Sequence, residues 1–302
     1  MKLFITILFS GLVVFGNCKT DNSKNDTKNR NLLALAIVAN AGTPVTSITF
    51  RADAGSTKSV GCGSSFATSS SSAVQIQDLR MYVSNVNLVK ADGSKTPFTF
   101  TSDGKWQSTK LALLDFEDAT GDCANASGGS SADKNLTLKG SSAAGNYTAL
   151  EFDIGVPDSI NFLDVTTSSA PQNINAMYWS WKGGYKFLKY EFKDKTTSKI
   201  TQYHLGSGGC NGASATTPST SCTQVNRPTI SLSKSDKSIF NFATDNVVLD
   251  VISLLKGTDL ASADNSCMAG NSNAACAQIL ANTGVKASDG TSAGTQTAFS
   301  IK

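Results

Sequence analysis

Histidine is the scarcest functional residue of this chain, with a single copy, His204, among 302 residues. A metal site built from several imidazoles is therefore excluded, and a copper site would need imidazole, sulfur or an unusual aromatic ligand. The same scarcity argues against a hydrolase triad. The run GTSAG at Gly290–Gly294 matches G-x-S-x-G, but that motif needs a later histidine, and His204 precedes it. Because we find no acid–base or nucleophile set, we predict that the protein is not an enzyme.

Long apolar runs, basic patches and phosphate-binding loops are also missing. After Leu3–Phe15, no apolar run approaches the length of a transmembrane helix. The formal net charge is only +3, and no cluster of basic residues with interleaved aromatics is present, so a nucleic-acid partner is not expected. No glycine-rich loop has the spacing that cradles phosphate.

The N-terminus has the pattern of an export signal. Lys2 precedes the apolar run Leu3–Phe15, which is too short to span a membrane. The run ends just before Cys18, an arrangement typical of a bacterial lipobox. We therefore predict a lipoprotein signal peptide over residues 1–17, with Cys18 as the lipidated residue. Plain secretion is the alternative, because Asn17 is not the commonest residue before such a cysteine.

The predicted organisation has a single domain behind a tether. Residues 18–44 begin with the lipidated cysteine and continue into a polar, charged stretch typical of a flexible linker. Residues 45–302 form the predicted domain. The lipid anchor makes the membrane itself a partner. It places the protein in the cell envelope, on the periplasmic face or the outer surface of the outer membrane.

Six further cysteines indicate disulfide bonds, since an even set in an exported protein reads as a disulfide framework. They are Cys62, Cys123, Cys210, Cys222, Cys267 and Cys276. Short spacings favour Cys210–Cys222 and Cys267–Cys276, which would leave Cys62–Cys123, although the sequence alone does not select one pairing. No pair has the tight spacing of structural zinc ligands.

Most of the predicted domain has the alternating pattern of β-strands separated by turns rich in glycine, serine and asparagine. The longest strand-like segment is Val74–Lys90. We expect further strands at Lys105–Leu114 and Phe240–Phe242, and short helices at Asp250–Lys256 and Ala274–Ala281. The pattern predicts a mostly β fold, with a single antiparallel β-sandwich-like domain, short helices and about three disulfides.

An aromatic segment, Met177–Phe192 (MYWSWKGGYKFLKYEF), predicts a hairpin about its glycine pair. Trp179 and Trp181 share one face of its first strand. Large aromatic residues on strands usually pack in a core, and the alternative is a position beside a metal. His204 lies on the next predicted strand, Lys199–Leu205, where a lone histidine is more often a hydrogen-bonded structural residue than a ligand.

The acidic run LLDFEDATG at Leu113–Gly121 is a second candidate site. Its carboxylates are Asp115, Glu117 and Asp118, and Asp122 follows. Calcium takes several carboxylate oxygens, but the spacing of an EF-hand is absent. A polar turn held by aspartate side chains is the favoured interpretation.

Several ordered blocks together resemble the MbnP-like family of periplasmic copper-binding proteins, from about Val45 to Lys302. The blocks are DLRMYVSNVNLV (Asp78–Val89), GKWQ (Gly104–Gln107), LALLDFEDATGDC (Leu111–Cys123), GNYTALEFDIGVP (Gly145–Pro157), the aromatic segment, HLGSGGC (His204–Cys210), NRP (Asn226–Pro228) and CMAG. The resemblance implies a β-rich domain stapled by disulfides.

The resemblance also implies a metal and a partner. Members of the family are associated with copper held by histidine and by a tryptophan converted to kynurenine, with a di-haem enzyme related to cytochrome c peroxidases as the oxidising partner. On this chain the histidine is His204, and the tryptophan is Trp179 or Trp181. An indole offers only an N–H donor, whereas kynurenine exposes an aniline nitrogen and a carbonyl.

One departure from the family pattern bears directly on the metal. Where the family has an Asn-His-x-Asp run, this chain has Asn161-Phe162-Leu163-Asp164, and Phe162 cannot bind a metal. A thioether could serve copper(I) in its place, from Met81, Met177 or Met268. We therefore predict an envelope-anchored copper-binding protein that stores or hands over copper. The alternative is a metal-free surface binding or adhesion lipoprotein that kept the fold after losing the ligand.

Overall fold

The structure, a computed structural model, describes residues 44–261, 266–268 and 274–302. The predicted signal peptide, the predicted lipidation site Cys18 and nearly all of the predicted tether lie outside the described residues. Within the described ranges, no helix is long and apolar enough to cross a membrane.

Eighteen strands and three α-helices make up the described part of the chain. The strands are β1 (Ser47–Asp53), β2 (Ser65–Phe66), β3 (Val74–Lys90), β4 (Lys95–Pro97), β5 (Thr99–Phe100), β6 (Ala112–Asp115), β7 (Thr137–Ser141), β8 (Tyr147–Ile154), β9 (Tyr178–Ser180), β10 (Gly184–Tyr185), β11 (Leu188–Asp194), β12 (Ile200–Leu205), β13 (Gly208–Cys210), β14 (Cys222–Gln224), β15 (Thr229–Ser233), β16 (Val247–Asp250), β17 (Cys267–Met268) and β18 (Phe299–Ile301). The α-helices are α1 (Asp158–Asn161), α2 (Val251–Leu255) and α3 (Ala274–Asn282), and 3-10 turns lie at Gly121–Asn125 and Asn175–Met177.

The strands form two large sheets and two small hairpins. The nine-stranded sheet has the order β15-β8-β3-β11-β12-β17, with β2, β4 and β6 also paired to β3. The five-stranded sheet has the order β18-β16-β1-β7-β5. Strand β3 is the hub because its 17 residues are long enough to pair with five partners. Pairing is antiparallel between neighbours except for β1 with β16 and β12 with β17.

The hydrophobic core lies between the two large sheets. Phe50 on β1 meets Phe152 on β8 edge to face at 5.5 Å between ring centroids, and Phe152 meets Phe299 on β18 at 5.9 Å. Such edge contacts are the favoured geometry of aromatic pairs. All three rings are buried. The prediction of a mostly β sandwich with short helices is confirmed.

Two strand predictions were wrong. In Lys105–Leu114, only the end belongs to a strand, β6, because Asp103 Oδ1 accepts hydrogen bonds from the backbone N–H groups of residues 105–107 and closes a turn. Phe240–Phe242 is not a strand either. Its two phenylalanine rings stack on each other at 5.0 Å, and Asn241 starts a turn whose carbonyl accepts from Asp245 N.

Three disulfides tie the connections to the sheets. Cys62–Cys123 links the segment after β1 to the 3-10 turn before β7. Cys210–Cys222 closes the β13–β14 hairpin, where the two residues face each other in register. Cys267–Cys276 joins β17 to α3. This is the pairing that the short spacings favoured.

Removing the Cys62–Cys123 bond should destabilise the protein more than removing Cys210–Cys222. The first bond spans 61 residues and the second 12, and a longer closed loop restricts the unfolded chain more. We expect Cys62→Ala with Cys123→Ala to lower the free energy of unfolding by about 4 kcal/mol, and the matched Cys210→Ala with Cys222→Ala by about 3 kcal/mol. Denaturant unfolding measures both, and an equal or reversed order would contradict the expectation.

Candidate functional site

A row of ionisable side chains crosses one face of the nine-stranded sheet. Asp115 on β6 is in register with Arg80 on β3, Arg80 with Lys189 on β11, and Lys189 with His204 on β12. Residues opposite each other on paired strands project to the same face, so the four side chains form a line across four strands. All four are at least 96% shielded from solvent.

A second row, of two carboxylates, pairs with the cations of the first row. Asp78 on β3 is in register with Glu191 on β11, two residues along the same face from Arg80 and Lys189. Arg80 binds Asp78 through two hydrogen bonds, with 2.8 Å from Nε to Oδ1. Lys189 pairs with Asp78 and also with Glu191, with 3.1 Å from Nζ to Oε1. We call these six residues, Asp78, Arg80, Asp115, Lys189, Glu191 and His204, the charged ladder.

Glu191 connects the charged ladder to the histidine. Its Oε1 lies 2.9 Å from His204 Nε2, and its carboxylate also accepts hydrogen bonds from the backbone N–H and the hydroxyl of Ser127. Burial alone would raise the pKa of Glu191, but the hydrogen bonds from His204 and Ser127, with the charge of Lys189, hold it well below its usual range. Glu191 is therefore an ionised acceptor.

An ionised acceptor at Nε2 determines the tautomer of His204. A carboxylate can only accept, so Nε2 carries the proton, and Nδ1 keeps its lone pair. Burial lowers the pKa of His204, with the charge of Lys186 acting in the same direction, so the ring is neutral. Among the described residues, the ring makes its hydrogen bond at Nε2 alone. This is the arrangement of a histidine prepared as a metal ligand, whose other ring nitrogen is held by a carboxylate.

The hairpin β9–β10 brings one tryptophan to the end of strand β12. A Cβ placed on Gly206 would lie 2.5 Å from Trp179 Cζ3, and one placed on Gly183 would lie 3.4 Å from Trp179 Cε3. The indole therefore packs directly on the Gly206 backbone, two residues beyond His204. Trp181 lies elsewhere, against Gly212 in the loop closed by the Cys210–Cys222 bond. Of the two candidate tryptophans, Trp179 is the one placed beside the end of the His204 strand.

Helix α1 places Phe162 at the same end of the sheet. Asn161, which precedes Phe162 at the helix terminus, is fully buried. Its Oδ1 accepts a hydrogen bond from Tyr185 N at 3.1 Å, and its Nδ2 donates to Ser207 Oγ at 3.4 Å. Phe162 therefore directly follows Asn161, which is hydrogen-bonded to both the aromatic hairpin and the segment after β12.

The acidic run is divided among ion pairs, as a polar turn rather than a calcium loop. Glu117 pairs with Arg80 of the charged ladder, with 3.2 Å from Oε1 to Nη1. Asp118 pairs with Lys134, and Asp122 with Lys193 and Lys195. Across the described ranges, no three histidine, cysteine, aspartate or glutamate side chains are grouped to hold a metal ion.

A cavity of about 380 Å³ lies beside the charged ladder, at Arg80 and Asp115. Residues 104–106, 128–131, 170 and 173–176 form the rest of its wall. Burial and the charge of Glu117 raise the pKa of Asp115 to about 8. Burial and the charge of Asp78 raise the pKa of Glu117 to about 7.

Sequence reasoning missed most of the charged ladder. The available signal was a pair of oppositely charged residues two positions apart within a predicted strand, Asp78 with Arg80 on β3 and Lys189 with Glu191 on β11. A spacing of two puts both charges on one face of a strand. A buried charge needs a partner of opposite sign, so the two pairs could have been matched across strands.

These features define a disulfide-stapled β-sandwich whose single histidine ends a buried row of ion pairs beside an aromatic hairpin. The MbnP family model matches residues 43–269, and the chain belongs to the MbnP family. The solved structure of MbnP from Methylosinus trichosporium superposes with a TM-score of 0.72 at 28% identity, covering 86% of this chain and 98% of that one. No curated protein matches the chain significantly.

The raised carboxyl pKa values predict a stability that falls as pH rises. Between 3.8 and about 8, unfolded Asp115 is ionised while folded Asp115 keeps its proton, so raising the pH favours the unfolded chain. Glu117 acts in the same direction between 4.5 and about 7. His204 and Glu191, with their lowered pKa values, act in the opposite direction, but only below 6.5 and 4.5 respectively. We expect Asp115→Asn to flatten the decline, measured by denaturant unfolding across this pH range.

Asp118→Asn is the matched control, because the pKa of Asp118 is lowered by hydrogen bonds from Lys134 and Thr120 that outweigh burial. Its contribution changes only below its ordinary value of 3.8 and leaves the slope unaltered in this range. Equal slopes for wild type and Asp115→Asn would show that Asp115 does not carry the effect.

Proposed function

We propose that this protein binds copper in the cell envelope, at His204 beside Trp179, and stores the metal or hands it on. The observation that carries the proposal is the contact between Glu191 Oε1 and His204 Nε2, which leaves a neutral imidazole with an unshared pair on Nδ1. In this proposal the protein acts as a binding protein without catalytic activity of its own.

The donors at this position suit copper. A neutral imidazole nitrogen is a good copper ligand, and Trp179 packs on Gly206, two residues further along from His204. An unmodified indole has only an N–H group to offer. Kynurenine, formed when the indole ring is oxidised and opened, would supply an aniline nitrogen and a carbonyl. Membership of the MbnP family supports both the metal and a di-haem enzyme, related to cytochrome c peroxidases, as the oxidising partner.

The proposed location rests on the sequence and the family together. A lipid on Cys18 would hold the domain at a membrane surface, with residues 19–44 as the spacer. The three disulfides suit an oxidising compartment outside the cytoplasm.

Copper bound at His204 should be present in protein purified from its own membranes. Elemental mass spectrometry is expected to find near-stoichiometric copper in the wild type and little in His204→Ala. The peptide that carries Trp179 should show the loss of one carbon and the gain of one oxygen. Trp179→Phe should lose copper, whereas the matched Trp181→Phe should keep it. Copper that persists in a folded His204→Ala variant would rule out the site.

Restoring the family histidine should strengthen the site. Phe162 follows Asn161, which is bonded to Tyr185 and Ser207, so Phe162→His would add a second imidazole at this end of the sheet. We expect copper affinity to rise by more than about tenfold, since even groups that only hydrogen-bond to metal ligands change metal affinity by that factor. The matched control is Leu163→His, at a neighbouring position that is 48% exposed. Equal affinities for both variants would place the site elsewhere.

A metal-free binding role is the second candidate, and Phe162 is the observation that favours it. The substitution removes the histidine of the family pattern, and the described residues contain no conventional metal cluster. Loops on a rigid sandwich would then carry the binding residues. Native protein that contains neither copper nor kynurenine, and that external protease cleaves on intact cells, would support this second candidate over the first.

A further inference from the structure

Strand β17 places a methionine beside His204. Strands β12 and β17 pair in parallel, with Tyr203 in register with Cys267 and His204 in register with Met268. Paired residues of neighbouring strands project to the same face of a sheet. Met268 therefore extends the row that runs from Asp115 through Arg80, Lys189 and His204, and it is the neighbour of His204 on the side away from Lys189.

A covalent bond holds this methionine in place. Cys267, which directly precedes Met268, is buried and bonded to Cys276 on α3. Because Ile279 and Leu280, on the same helix, are buried in the main core, the disulfide ties β17 to the body of the domain. A two-residue strand would be a weak support by itself, and the disulfide gives Met268 a defined position next to His204.

The other methionines of the described chain have different environments. Met81 is fully buried in the main core, where Tyr190 Oη lies 3.0 Å from its Sδ and donates a hydrogen bond to it. Met177 is fully buried in a smaller cluster with Tyr82, Tyr185 and Phe187. Met268 is 41% exposed, so of the three it is the methionine that a metal ion from solvent can approach.

We propose that Met268 supplies a thioether ligand to copper(I) held by His204, in place of the histidine that Phe162 has replaced; this inference rests on the proposed function. A thioether is a soft ligand that selects copper(I). It carries no proton to lose, so the ligand is available at any pH. Met268 is exposed at the edge of the sheet and would be the ligand nearer to solvent, whereas His204 would be the buried one.

The test uses the full chain from its own membranes, stripped of copper and reloaded with copper(I) without oxygen. Competition with a chromophoric copper(I) chelator gives the affinity, and X-ray absorption at the copper edge reports sulfur among the ligands. We expect Met268→Leu to bind copper(I) at least about tenfold more weakly, because even the loss of a group that only hydrogen-bonds to a metal ligand has an effect of that size. The sulfur signal of the wild type should disappear in this variant. Met177→Leu is the matched control and should keep both.

The outcomes separate the two proposals. If wild type takes up no copper(I), or if a folded His204→Ala variant binds it as well as wild type does, the proposed function fails and the role of Met268 fails with it. If His204 is required but Met268→Leu retains wild-type affinity, the role of Met268 alone is overturned. Loss of the sulfur signal in Met177→Leu instead of Met268→Leu would also overturn it. Because Met268 is exposed, its variant should unfold at the wild-type temperature, which thermal denaturation checks.

Discussion

The pairing of buried charges governs this protein's most unusual region. Taking an ion out of water costs several kcal/mol unless an opposite charge and hydrogen bonds replace the lost hydration. Lys189, fully buried, is compensated by Asp78 and Glu191 together. Removing it would leave the buried carboxylate of Glu191 without its cation, and Asp78 with Arg80 alone. The ionised state of Glu191, and through it the tautomer of His204, therefore depends on charges contributed by strands β3 and β11.

The backbone just beyond His204 leaves room for a large side chain. Gly206 has no Cβ, and the indole of Trp179 occupies the space that a Cβ would need. Asn161, at the end of α1, makes hydrogen bonds with Tyr185 of the hairpin and with Ser207. These contacts bring an aromatic ring, an imidazole and the position of Phe162 to one end of a sheet. Their convergence explains how a chain with one histidine can present a chemically distinctive site.

The similarity to MbnP from Methylosinus trichosporium concerns the fold. At 28% identity the two folds still superpose with a TM-score of 0.72, because a sandwich core tolerates substitutions that keep volume and alternation. Phenylalanine and histidine fill similar space, but only imidazole offers a lone pair. A phenylalanine at position 162 is therefore compatible with the fold around Asn161 and α1, but it offers no donor atom for a metal.

The sequence by itself determined the β-rich class, the family, both predicted helices within the described residues and the candidates His204, Trp179 and Trp181. Alternation and recurring motifs are local signals, so they can be read along the chain. Strand register is not local. Only the tertiary structure decided that Lys189 lies between Arg80 and His204, that Trp179 rather than Trp181 reaches Gly206, and that Met268 is the neighbour of His204. Each of these contacts joins residues on different strands, and a register shift of one residue would send every side chain to the opposite face.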